Sequence, residues 1–318
     1  MGMYIARRLL LFIPTMLFIS LIIFLLLRIV PANAVDVMVM QQDSRMTEDQ
    51  RQVLAAEMGL DKPAYLQYLL WLKGAVQFDF GHSIFSRGTS VWEILRASFP
   101  RTLQLTVFSF ILGVGGGVLF GVLAGMRQDS WLDNIIRVGT VMGVAIPSFL
   151  IAVLIYYLLI RFFDWIPSIG FVNLWDNPRE SLSQLIWPTL VLALSIAAPL
   201  ARLTRSQFLE VYREDYIRTA RAKGLSNRTV TFRHALRNSL LPVLTTAGVR
   251  LAGLLGGVVV VEKVFGIPGI GTQMVNAIST RDYPMIQAIT WLMALVFMVS
   301  NLLVDVAYAW VDPRIKYS

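Results

Sequence analysis

The chain holds few side chains that could make or break a covalent bond. Cysteine is absent, which removes thiol nucleophiles, disulfides and thiolate metal ligands. Two histidines, His82 and His234, are too few to build a metal site by themselves. None of the five lysines (Lys62, Lys73, Lys223, Lys263, Lys316) follows a glycine, so the phosphate-cradling pattern GxxxxGK followed by Ser or Thr does not occur. HExxH, CxxC and GxSxG are missing too. The concentrated chemistry is ionic. Between Arg202 and Pro242 stand nine Lys and Arg (Arg202, Arg205, Arg213, Arg218, Arg221, Lys223, Arg228, Arg233, Arg237) against three acids (Glu210, Glu214, Asp215). Gly224 lies at the centre, followed by Leu225, Ser226 and Asn227. A glycine at positive φ ends one helix, and Ser226 or Asn227 caps the next by accepting from its free amides. The spacing predicts helix, tight turn, helix: a basic arm held against the cytoplasmic face of a membrane.

The elements that carry this arm are membrane helices. Of 318 residues, 56% are hydrophobic and 15% charged, whereas a soluble chain carries about 25% charged residues. The net charge of +8 invites a nucleic-acid reading. We reject it, because much of the positive charge borders apolar segments, where it orients a membrane protein. Windows free of Asp, Glu, Lys and Arg run over 9–27, 102–126, 138–160, 181–201 and 283–304, and a sixth, 238–261, is interrupted only by Arg250. Each is long enough for a bilayer core that takes about 20 residues. An all-α protein with six spanning helices follows.

The first window is preceded by Arg7 and Arg8, and Ala32-Asn33-Ala34 looks like a cleavage site. Signal h-regions run about 7 to 15 residues, so this longer window reads as a retained anchor. Six spans put both termini on one side with the loops near 127–137 and 202–242. That side carries 15 Lys and Arg over 74 residues, against 11 over 112 on the other. The bias places the termini and the basic arm in the cytoplasm. In the external region 31–101, Thr47 to Met58 reads as a short capped helix, and Phe78 to Gly88 as loop. Tyr65 to Val76 is too short to span and suits an interfacial helix with Tyr65, Tyr68 and Trp71 at headgroup level.

Gly113, Gly117, Gly121 and Gly125 recur every four residues on the second span, and Gly248, Ala252 and Gly256 on the fifth. Each row makes a bare groove into which another helix presses. Close packing in a bundle and a surface that slides during a conformational change require the same residues. Pro147 falls mid-span, with Pro188 and Pro199 near the ends of the fourth span. A kink frees a carbonyl that either packs or lines a path, so Pro147 and Ser148 are path candidates. Charges inside the membrane are costly. Arg28 snorkels from its helix end. Arg250 and Asp305 lie at similar depths from the cytoplasmic side, which suggests an interhelical contact; the alternative is separate pairing with other polar groups or water. No run of intramembrane carboxylates forms a proton relay. A self-sufficient secondary transporter or channel would need such groups, and an intramembrane enzyme a nucleophile or metal constellation.

The stretch Asp215-Tyr216-Ile217-Arg218-Thr219-Ala220-Arg221-Ala222-Lys223-Gly224, then His234-Ala235-Leu236-Arg237-Asn238 and Leu241-Pro242, resembles the coupling loop of ABC-importer permeases. It is closest to the dipeptide, oligopeptide and nickel subfamily. Supporting matches are Gly59-Leu60-Asp61-Lys62-Pro63, Glu262 to Phe265 with Pro268-Gly269-Ile270-Gly271, Arg281-Asp282-Tyr283-Pro284, Asn301-Leu302-Leu303-Val304-Asp305 and Asp312-Pro313-Arg314-Ile315. Against the family's general pattern of Glu-Ala-Ala, three residues and Gly, this chain has Arg218, Thr219 and Ala220. The interval from Gly224 to Pro242 is also longer than usual.

The resemblance implies a type I ABC-importer transmembrane domain over 102–310 with a coupling loop at 204–242. An N-terminal transmembrane helix (1–30), an external region (31–101) and a cytoplasmic tail (311–318) accompany it. It also implies assembly in the bacterial cytoplasmic membrane with a second homologous permease subunit, two ATP-hydrolysing subunits and an extracytoplasmic substrate-binding protein. The chain would bind no cofactor; ATP and Mg would sit on the partner subunits. Glu214, Asp215, Tyr216, Arg218, Thr219, Ala220, Arg221, Ala222, Lys223 and Gly224 would form the coupling contact. Gly224 with small Ala220 and Ala222 would permit close docking, and Arg218, Arg221 and Lys223 would pair with acids. The expected function is import of peptides, or of glutathione or a nickel chelate, and not enzymatic catalysis.

Overall fold

Caps and prolines set the limits of the helices. The computed structural model of the chain describes residues 2–29, 47, 61–86, 88–165 and 170–311. Most of the helix expected over 47–58, the cleavage-like Ala32-Asn33-Ala34, Gly59-Leu60 and the tail from Asp312 fall outside them. The described residues up to 100, with 269–299, form one unit, and those from 101 to 268, with 300–311, a second.

In the first unit, α1 (Gly2–Ile29) packs on α2 (Ala64–Val76). Ser20 Oγ and Tyr68 OH lie 2.8 Å apart, and the Tyr68 ring stands edge-on to Phe24. The short apolar run expected to be helical over Tyr65 to Val76 thus forms a 13-residue helix that begins one residue earlier, and Tyr65 is exposed. Helix α9 (Ile270–Thr280) and the opening turns of α10 (Tyr283–Val311) complete this unit. Its core gathers Ala75, Phe80, Leu95, Ile270, Ile289 and Trp291. Buried Asp282 accepts from the Ser83 hydroxyl, from the Phe85 amide at 3.3 Å and from the Met285 amide at 3.3 Å. One carboxylate therefore closes the 78–88 loop and caps α10.

The second unit holds most of α3 (Val91–Met126), then α4 (Trp131–Ala145), α5 (Ser148–Phe163), α6 (Pro178–Tyr212), α7 (Asp215–Ala222) and α8 (Arg237–Phe265). Asn177 caps α6 by accepting from the Glu180 amide, with Pro178 at its first position. At about 1.5 Å per residue, α3 and α6 are each about 50 Å long and outrun an apolar core of about 30 Å. Leu105, Leu192, Ile196, Leu200, Val258 and Phe265 form the centre of this unit.

The third window, 138–160, is not one helix. Among the described residues, four helices are long and apolar enough to cross a membrane, and up to six if each of two bent pairs counts as one span. Helices α4 and α5 form the first bent pair, at 105°. Ile146 is extended (φ −89°, ψ 123°), as a residue preceding proline must be, and Pro147 becomes the cap of α5. Pro188 and Pro199 remain inside continuous α6. The second bent pair joins 227–251 to 256–265.

Candidate coupling surface around Gly224

The basic arm folds as helix, turn, helix. The α7 backbone ends at Lys223, and Gly224 takes φ +77°. The Gly224 amide donates to the Arg221 carbonyl at 2.9 Å and the Leu225 amide to the Ala220 carbonyl at 3.3 Å. These two reversed bonds satisfy carbonyls that the helix end would leave bare. A Cβ at Gly224 would meet nothing within 4 Å, so glycine is required there by the backbone angle and not by crowding. Ser226 then caps the next turn, its Oγ accepting from the Thr229 amide at 3.3 Å. The α-helical turn Asn227–Thr229 continues as a π-helix over Val230–Leu236 and enters α8 without a break.

Two faces divide α7. Ile217 and Ala220 are buried against Val122, Phe208, Val230 and Ala235. Glu214, Asp215, Tyr216, Arg218, Thr219, Arg221, Ala222, Lys223 and Gly224 are exposed. Ala220 is thus buried in the same cluster as Phe208. Ala222 is the small residue left on the outer face. Arg218 Nη1 pairs with Asp215 Oδ1 at 3.1 Å, both exposed, a pair worth less than about 1 kcal/mol. The Arg221 guanidinium lies 4.3 Å from the Tyr212 ring centroid. Asn238 Nδ2 donates to Tyr216 OH at 2.8 Å and ties α7 to the start of α8.

Beneath this arm the glycine row of α3 meets α6 residue for residue. A Cβ at Gly113 would stand 2.7 Å from Ile196 Cβ, one at Gly117 2.7 Å from Leu200 Cβ, one at Gly121 2.5 Å from Thr204 Cβ, and one at Gly125 2.7 Å from Phe208 Cδ1. Both rows repeat every four residues, so the groove of one helix holds the ridge of the other. Phe208 closes the row and also packs under α7. One turn back, Arg205 reaches α4: Nε donates to Asp133 Oδ1 and Nη2 to Asp133 Oδ2, each at 2.6 Å. The Thr204–Phe208 turn of α6 therefore touches α3, α4 and α7 together.

The remaining candidates are dispersed. Gly248 of α8 meets Val304 of α10, whereas a Cβ at Gly256 would meet nothing within 4 Å, so only the first end of that row is closely packed. Pro147 is exposed and Ser148 half-buried at the bend. Arg250 is exposed and Asp305 half-buried. Two of the chain's ion pairs join Asp133 to Arg205 and Asp215 to Arg218. Sequence reasoning missed the first, although Ser130 followed three residues later by an acid is a helix-start signature, and Ser130 Oγ accepts from the Asp133 amide at 3.3 Å. Glu262, singled out in the sequence only as part of the family resemblance, is fully buried, and its Oε1 accepts from Thr102 Oγ1 at 2.5 Å.

Residues 117–317 match the family of binding-protein-dependent transport system inner membrane components, and residues 1–106 match the N-terminal part of such membrane components. The chain is 41% identical over 319 residues to the oligopeptide transport system permease protein AppB of Bacillus subtilis (strain 168), covering 100% of both. It is 38% identical over 315 residues to the glutathione transport system permease protein GsiC of Escherichia coli (strain K12), covering 99% of each. A solved chain of the inward-facing MetNI methionine ABC transporter superimposes with a TM-score of 0.53 at 18% identity, over 69% of this chain and 96% of that one. A chain of an amino acid ABC transporter with histidines gives 0.51 at 18%, over 70% and 94%. These two likenesses concern the fold alone.

Proposed function

Because the chain belongs to the family of binding-protein-dependent transport system inner membrane components, we propose that it forms one half of a helical pore that imports peptides. A second, homologous permease subunit supplies the other half. Two separate subunits hydrolyse ATP, with Mg, and an extracytoplasmic binding protein delivers the solute. The pore lies in a bacterial cytoplasmic membrane, with both termini and the arm at 202–242 in the cytoplasm, as the Lys and Arg bias supports.

The observation that carries the coupling role is the division of α7 into an inner apolar face and an outer polar one. The outer face offers Asp215, Tyr216, Arg218, Arg221 and Lys223 to a partner. The inner face is keyed through Phe208 into α6 and, by Gly125, into α3. Displacing α7 therefore displaces the α3–α6 seam, because close-packed side chains transmit a shift and do not absorb it. ATP hydrolysis in the partner thus moves pore helices in a chain whose sequence lacks the phosphate-cradling GxxxxGK pattern.

The test is the complete complex reconstituted in liposomes with peptide-loaded binding protein. Reversing Arg218 and Lys223 to Glu together should cut peptide uptake and stimulated ATPase activity on the order of tenfold, while the helical content of the purified chain stays unchanged. Unaltered uptake would sink the coupling role. A second reading, glutathione as the solute, draws on the 38% identity to GsiC. Uptake of labelled peptide and labelled glutathione by the same liposomes separates the two.

A further inference from the structure

Helix α4 carries a groove of about 400 Å³ lined by Asn134, Arg137, Val138, Val141 and Met142. These positions fall on one stripe of the helix, with polar groups at its first turns and apolar ones beyond. The opposite stripe is the packed one. Asp133 is bound to Arg205 of α6, and a Cβ at Gly143 would stand 2.8 Å from Ala198 Cβ. Those two contacts run α4 antiparallel to α6. They bring Arg137 near the level of Arg202, where the charge-free stretch 181–201 of α6 ends. Arg137 thus stands at the border of the apolar layer.

Its local counter-ion accepts its hydrogen bonds elsewhere and attracts Arg137 only through space. Asp133 lies four residues before Arg137, the spacing at which an acid and a base pair on a helix. Both Asp133 oxygens are held by Arg205, and Oδ2 also accepts from the Asp129 amide at 3.0 Å. Among the described residues the Arg137 guanidinium makes no hydrogen bond or ion pair, and the residue is exposed. Val138, Val141 and Met142 below it are exposed as well. An exposed cation at the water boundary, above an apolar stripe along the helix, suits a lipid with a negative phosphate head and an acyl chain.

We propose that this groove binds an anionic phospholipid, its phosphate on Arg137 with Asn134 as a second donor and one acyl chain along Val138, Val141 and Met142. Bidentate donation suits guanidinium to phosphate, and the head-to-tail order of the stripe fixes how the lipid lies. The site depends on membrane placement and not on which solute the pore carries.

The assembled transporter, purified in mild detergent, is titrated with phosphatidylglycerol, phosphatidylcholine or inorganic phosphate, and bound lipid is counted by native mass spectrometry. The intact complex should retain one phosphatidylglycerol that Arg137→Gln retains about fivefold less well, the factor matching ~1 kcal/mol for one basic residue at an anionic surface. Arg137→Lys should restore most of it, and phosphate alone should not displace it. Equal retention by Arg137→Gln overturns the proposal, as does displacement by free phosphate. A photo-crosslinking residue at Val141 gives an independent reading: crosslinks to lipid support the site, and crosslinks to another polypeptide show that a subunit covers the groove and overturn it.

Discussion

Arg205 grips Asp133 with both prongs of its guanidinium, at 2.6 Å each, and the two partners differ sharply in burial. The Asp133 side chain is fully buried, whereas that of Arg205 is 21% exposed. Removing the arginine leaves the buried carboxylate with the Asp129 amide as its remaining donor; removing the acid leaves a guanidinium that reaches water. Arg205→Met should therefore destabilise by about 3–5 kcal/mol and Asp133→Leu by clearly less, while the double variant recovers most of the loss. Thermal unfolding of the detergent-solubilised chain measures all three. Equal losses in the two single variants would contradict the asymmetry.

The α3 glycines differ in what surrounds them. Gly117→Ala drives a methyl against Leu200 Cβ and should cost about 1–3 kcal/mol, because 2.7 Å is too close for two carbons. Gly115 has open space, so Gly115→Ala should gain up to about 1 kcal/mol from helix propensity alone. Opposite shifts of the melting temperature for these neighbouring positions are the expected result.

At Gly224 only the backbone angle matters. Asn visits the left-handed region far more readily than valine, so Gly224→Asn should support near-normal peptide uptake. Gly224→Val, at about 1–2 kcal/mol of backbone strain, should distort the turn and reduce uptake severalfold. If valine matched asparagine, the φ of +77° would not be what the position selects.

Asp282 holds the 78–88 loop by two accepted hydrogen bonds, from Ser83 and Phe85, and caps α10 by a third from Met285. Asp282→Ala leaves the Ser83 hydroxyl and two amides without this partner and should weaken the loop by about 2–4 kcal/mol. Hydrogen exchange at the Phe85 amide should accelerate accordingly, while amides around Gly224 keep their rates.

Much of the local structure was legible in residue types. Gly224 and Ser226 announced the turn and cap because a positive φ and a free helix start each admit few side chains. The four-residue glycine spacing announced a groove for the same reason. Pro147 announced a disturbance, yet its size, a 105° turn rather than a kink, depends on how α4 and α5 pack. Ala220 shows the limit of composition: the same small residue fits an outer docking face or an inner seam, and only its burial against Phe208 decides.

By itself, then, the amino-acid order determined an all-helical membrane chain and a basic arm turned at Gly224 and capped at Ser226. Those features depend on backbone angles, hydrophobic length and charge within a few residues. The tertiary structure decided which helix fills the glycine groove, which acid meets Arg205 and which face of α7 is free. Such partners lie far apart along the chain, 72 positions in the case of Asp133 and Arg205. No local preference records a distance that exists only once the helices are packed.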